Sequence, residues 1–87
     1  MKTHIEAADI QKRIKDVTYH RIPGTTATIC NIQMANGFSV RGESACVDPT
    51  KFDEAVGRKI AYDNAFDKLW QLEGYLLAER LWLERQL

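Results

Sequence analysis

Thr26-Ala27-Thr28-Ile29-Cys30-Asn31-Ile32-Gln33-Met34-Ala35-Asn36-Gly37-Phe38-Ser39-Val40-Arg41 is the stretch on which the reading of this chain turns. From Thr26 to Met34, alternate positions of an extended strand put Thr28, Cys30, Ile32 and Met34 on one face and Ile29, Asn31 and Gln33 on the other. A further run starts at Phe38 and continues through Val40 to about Glu43. A two-residue turn at Asn36-Gly37 would pair Met34 with Ser39 and Ile32 with Arg41, mixing apolar with polar on both faces. A three-residue loop, Ala35-Asn36-Gly37 with Gly37 left-handed, pairs Met34 with Phe38 and Ile32 with Val40, and also Gln33 with Ser39 and Asn31 with Arg41. Only the second choice gives one coherent apolar face, so it is the expected register.

Upstream, Val17-Thr18-Tyr19-His20-Arg21-Ile22 is rich in β-formers and is stopped by the turn signal Pro23-Gly24. Before it a short helix is expected. Thr3 and Glu6 have the spacing of a capping box, and Ala7, Ile10, Ile14 and Val17 recur at helical intervals. Lys12, Arg13 and Lys15 fall mostly outside that stripe and read as a solvated face rather than a binding site.

Downstream, Asp48 suits an N-cap and Pro49 the first helical position, where its missing N–H would be unpaired anyway. A helical pattern follows from about Thr50 to the last few residues. In its first half Phe52, Ala55, Val56, Tyr62, Phe66 and Leu69 cluster on one side, with Asp53, Asn64, Lys68 and Gln71 opposite. Its second half is apolar in nearly every direction, through Leu69, Trp70, Leu72, Tyr75, Leu76, Leu77, Leu81, Trp82, Leu83 and Leu87. A helix over this span is roughly 50 Å long, whereas a compact domain of this size has a radius of gyration of about 12 Å. The helix must therefore break, with Gly74 the obvious place, or overhang its own core and pair with another copy. The expectation is a homo-oligomer whose principal interface is Leu69, Trp70, Tyr75, Leu77, Leu81 and Trp82. The expected architecture is α+β and one domain over residues 1–87. It comprises a short N-terminal helix, a small antiparallel β-meander of two to three strands, and a long C-terminal helix.

With 45% hydrophobic and 28% charged residues, the chain has a globular rather than a disordered composition. Its 12 basic and 12 acidic residues cancel, which argues against a protein that grips nucleic acid chiefly through the phosphate backbone. The N-terminus, Met1-Lys2-Thr3-His4-Ile5-Glu6, lacks an apolar signal region, and no stretch reaches bilayer-spanning length. The chain is expected in the cytoplasm, without a membrane partner, with Cys30 and Cys46 reduced.

The best polar cluster is Arg41, Glu43, Ser44 and Asp48 around Gly42, ending at a helix start. It could cradle a phosphate or carboxylate, with Tyr19 or Phe38 as a stacking face; the same residues also suffice simply to build a turn. The segment lacks the Gly-Lys-Ser/Thr ending of a P-loop. Cys46, just before the helix, has the position of an activated thiol, but no nucleophile signature surrounds it, and a small buried hydrophobe is the simpler reading. Cys30, Cys46, His4 and His20 match no zinc-module spacing. Asp53, Glu54, Asp63, Asp67 and Glu73 lack the Glu-x-x-His companion of a helical di-metal site. Neither a metal nor another cofactor is expected, and no catalytic residue is assigned.

Three segments resemble, in order, a family of small phage proteins shared by podoviruses related to coliphage N4 and Shigella phage Sf6. They are Asn36-Gly37-Phe38-Ser39-Val40, Gly42-Glu43-Ser44-Ala45-Cys46-Val47-Asp48-Pro49 and Lys68-Leu69-Trp70-Gln71-Leu72-Glu73-Gly74-Tyr75-Leu76-Leu77. The resemblance covers roughly the last two-thirds of the chain. It implies a phage or prophage product working in the bacterial host cell, where small proteins of this kind often act by binding. The leading expectation is a homo-oligomeric module that binds a host protein. The alternatives are a binder of nucleotide-like small molecules at the Arg41–Asp48 loop and, behind it, a small thiol enzyme.

Overall fold

A computed structural model describes residues 3–87. It shows the α+β architecture: α1 (Ala7–Gln11), β1 (Ile14–Arg21), β2 (Thr28–Met34), β3 (Ser39–Ser44), a 3₁₀ turn (Pro49–Lys51) and α2 (Glu54–Arg85). The strands form an antiparallel meander in the order β1-β2-β3, with α2 laid across one face.

The hairpin register is the one that the alternation demands. Ile32 faces Val40, Gln33 faces Ser39 and Asn31 faces Arg41. Gly37 has φ of 92°, a conformation that a Cβ disfavours. Its N–H donates to the Met34 carbonyl at 2.9 Å, and the Met34 N–H donates to the Phe38 carbonyl at 2.7 Å. Thr28, Cys30, Ile32 and Met34 are all buried, so β2 alternates as read.

The N-terminus departs from the expected pattern in two ways. The capping box lies one turn later than expected: the Asp9 carboxylate accepts the Glu6 N–H at 2.9 Å, and Thr3 stands outside the helix. Ile14 and Val17 belong to β1, not to the helix. A bulge explains the error. Ile14 pairs with Met34 and Asp16 with Gln33, leaving Lys15 as the extra residue. That insertion turns Ile14 and Val17 to the same face at a spacing that imitates a helix turn.

The long helix also starts later than the expected Thr50, at Glu54. Asp48 caps only the 3₁₀ turn, accepting from Thr50 N–H at 3.0 Å. Phe52 is extended, with its ring under the Arg21 guanidinium at 4.1 Å from the centroid. Asp53 then caps α2 afresh, accepting from Ala55 N–H at 2.9 Å and Val56 N–H at 3.3 Å. Ala55 and Val56 are exposed, although the helical stripe had placed them inward. The surface pressed on the sheet consists of Ala61, Ala65, Phe66 and Leu69. With Ile10, Cys30, Ile32, Met34 and Val40 they form the core.

α2 is unbroken through Gly74 and spans 32 residues. Leu69 is its last buried residue, so about 24 Å of helix runs on beyond the core at 1.5 Å per residue. The extents of 59 × 21 × 17 Å and the radius of gyration of 16.2 Å reflect this overhang.

Candidate functional site

Strand alternation divides the expected polar cluster. Arg41 and Glu43 lie on the outer face of β3, away from α2, whereas Ser44 turns inward. The Arg41 guanidinium donates to Asn31 Oδ1 at 3.3 Å and Ser39 Oγ at 3.2 Å. Ser44 Oγ donates to the Gly57 carbonyl at 2.6 Å, tying β3 to the first turn of α2. Asp48 is engaged by Thr50, whose hydroxyl (2.7 Å) and N–H hold its carboxyl below the usual carboxylate range. The four residues are therefore not brought together around one cavity. Tyr19 faces the core beside Cys30 rather than Arg41, and Phe38 is exposed at the hairpin tip.

What the sheet does present outward is a polar surface in three rows across the strands. His20, Ile29 and Glu43 form one, Thr18, Asn31 and Arg41 the next, and Asp16, Gln33 and Ser39 the third.

Both thiols are free. Cys30 is buried, and burial pushes its thiol up. Cys46 is half-buried; its N–H donates to Thr26 Oγ1 at 3.1 Å, and its Sγ lies 3.1 Å from the Asp48 carbonyl. Among the described residues, His, Cys, Asp and Glu side chains form no group of three fit to hold a metal. The carboxylates Glu54 and Asp63 pair along the helix with Arg58 and Lys59 at 2.8 and 2.9 Å.

The expected interface residues on α2 fall into three environments. Leu69 is buried in the chain's own core. Leu77 and Leu81 are half-buried and share a groove with His4 and Ile5, beside the Arg13–Glu73 ion pair at 3.0 Å. Trp70 meets Phe66 edge-on at 6.0 Å. Tyr75 and Trp82 are 74% and 50% exposed.

The residues that the interface reading omitted are Leu72, Leu76 and Leu83, all substantially exposed. They continue the line of Ala61, Ala65 and Leu69 past the end of the sheet, at the three- and four-residue intervals of one helix face. Where they leave the sheet, a groove of about 280 Å³ opens, lined by Met34, Phe38, Leu69, Leu72, Tyr75 and Leu76 with Arg13, Asn36 and Glu73 at its polar side. The seven-residue recurrence Leu69, Leu76, Leu83 was the available signal for this seam.

The sequence model of the phage protein (N4 Gp49/phage Sf6 gene 66) family matches residues 5–81. The chain belongs to this family. The match takes in α1, the whole sheet and most of the overhang, and so reaches further toward the N-terminus than the three segments that carried the resemblance. No curated protein and no solved structure matches the chain. No helix among the described residues is long and apolar enough to cross a membrane.

Proposed function

We propose that this phage protein is a self-associating interaction module of the bacterial host cytoplasm: the overhang of α2 joins copies, and the outer face of the sheet meets a host protein. The observation that carries the reading is the continuation of the core-facing stripe of α2 as exposed Leu72, Leu76 and Leu83, flanked by Tyr75 and Trp82. Apolar area removed from water contributes about 25 cal/mol per Å², so a contiguous stripe of this kind favours burial against a partner. The outer sheet face supports the second half of the reading, because it offers hydroxyl, amide and charged groups on rigid strands without a covering element. The alternative, a nucleotide-like ligand held by Arg41, Glu43, Ser44 and Asp48, draws less support from an arrangement that divides them between two faces.

Light scattering behind a sizing column tests self-association on the wild type and on Leu76→Glu/Leu83→Glu. A wild-type oligomer that the double variant dissociates, with its helical circular dichroism retained, is the expected result. A folded wild-type monomer overturns the reading. The host-protein half is tested by capture from host lysate with wild type and Asn31→Lys/Arg41→Glu. Loss of a captured protein by a variant that still assembles supports it, and identical capture by both refutes it.

A further inference from the structure

We propose that the occupant of the overhang is a second copy of this chain lying antiparallel to the first, so that the last turns of each α2 seat in the other's groove beside Phe38, Leu72 and Tyr75. The inference rests on self-association through α2 and names its geometry.

Elimination supports the helix as the contact. The free edge of β3 is closed: Lys68 Nζ donates to the Arg41 carbonyl at 2.5 Å, and Asn64 Nδ2 donates to the Glu43 carbonyl at 2.7 Å. The free edge of β1 carries the Lys15 bulge and the adjoining Asp16 charge. Bulges and charges of this kind discourage strand addition. The outer sheet face is polar in all three rows except at Ile29. Among the described residues, the apolar surface that lies beyond the sheet on the core-facing side of α2 is the Leu72, Leu76, Leu83 stripe; Val56 and Ile60 are exposed at the other end of the helix, beside Phe52.

Sterics then set the direction. The stripe points the same way as Ala61, Ala65 and Leu69, which press on the sheet. A parallel copy on this face would drive its own sheet into the volume that the first sheet fills. Reversing the copy carries its sheet to the opposite end of the paired helices and leaves both overhangs covered.

Charge sets the register. With the two-fold axis between Glu79 and Arg80, Leu76 lies beside the second copy's Leu83, Leu72 beside its Leu87, and Glu79 beside its Arg80. Each of these relations occurs twice, as a two-fold contact requires. Moving the axis onto Glu79 would set that carboxylate against its own copy, a like-charge contact in the seam.

Cross-linking tests the geometry in a Cys46→Ser background, with Cys30 left buried. Leu76→Cys and Leu83→Cys chains are mixed, oxidised and resolved by mass. The antiparallel pairing yields the mixed disulfide in excess, because like positions are then about 10 Å apart along the axis. Homodisulfides of Leu76→Cys and of Leu83→Cys, both in excess over the mixed species, overturn the antiparallel geometry while leaving self-association standing, and homodisulfides of Leu76→Cys alone overturn the register. A wild-type monomer by light scattering overturns both. Should the cysteine variants fail to assemble, charge reversal decides. Glu79→Arg and Arg80→Glu each raise the dissociation constant about five- to tenfold, and Glu79→Arg/Arg80→Glu returns it to near wild type. Absence of that rescue refutes the register.

Discussion

Gly42 of β3 lies under Ala65 of α2 with backbone against backbone. A Cβ on Gly42 would fall inside contact distance of the Ala65 amide nitrogen and the Ala61 carbonyl oxygen. This approach explains why the buried surface of α2 is built from alanines at its closest point and from Phe66 and Leu69 only further along. It also brings Asn64 and Lys68 within reach of the strand carbonyls on either side of Gly42.

Gly42→Ala is expected to destabilise the fold by about 3 kcal/mol, since the atoms that must yield are backbone on both elements. Urea unfolding followed by circular dichroism measures it. An unchanged midpoint would mean that the helix can lift off the strand without loss.

Gly74→Ala makes the opposite case. Nothing lies within 4 Å of a Cβ at Gly74, and the residue sits inside a continuous helix. Alanine there should stabilise by about 0.5–1 kcal/mol through lower backbone entropy in the unfolded chain. A fall in melting temperature would show that the overhang needs to bend at this point.

Removing the side chains that close the β3 edge should do more than weaken the fold. Asn64→Ala/Lys68→Ala loses two hydrogen bonds to carbonyls, at a cost of about 1–2 kcal/mol. It also opens the edge to strand pairing, so time-dependent light scattering should rise with concentration. Lys59→Ala, which removes only the exposed pair with Asp63, is the control and should change stability by less than about 0.5 kcal/mol. Equal scattering by the two variants would assign no protective role to the edge.

Alkaline pH should destabilise the protein through its interior. Burial raises the pKa values of Cys30, Tyr62 and Tyr19, and at Tyr19 the neighbouring Cys30 adds to the effect. For each group the folded state holds its proton more tightly than the unfolded state. Stability is therefore full below the ordinary thiol and phenol range and is lost as pH climbs from that range through the raised folded-state values. Melting temperature should hold level near neutrality and fall between about pH 8.5 and 11. Tyr19→Phe should make the decline shallower. A slope identical to wild type would show that Tyr19 ionises as freely folded as unfolded.

The sheet was legible because its determinants are local. Alternation from Thr28 to Met34 names the buried face, and a glycine at Gly37 permits the one loop that keeps Ile32 opposite Val40. The errors arose where pairing, not pattern, decides. The Lys15 bulge made strand residues look helical. Phe52 left the helical pattern beneath Arg21, a contact with a residue 31 positions away.

The candidate site was less legible, because neighbours along a strand point to opposite faces. Arg41, Glu43 and Ser44 read as a cluster in sequence and are separated in space by the pleat. By itself the sequence determined the order of the main elements, the hairpin register and an excess of apolar residues on the last helix. These follow from side-chain period and backbone sterics, which act over a few residues. Only the tertiary structure decided which of those apolar residues the chain covers. Leu69 is enclosed and Leu76 is not, although both lie on one stripe of one helix. The boundary falls where the three-stranded sheet ends beneath the helix, and that edge is set by the register of strands distant in sequence rather than by any feature of α2.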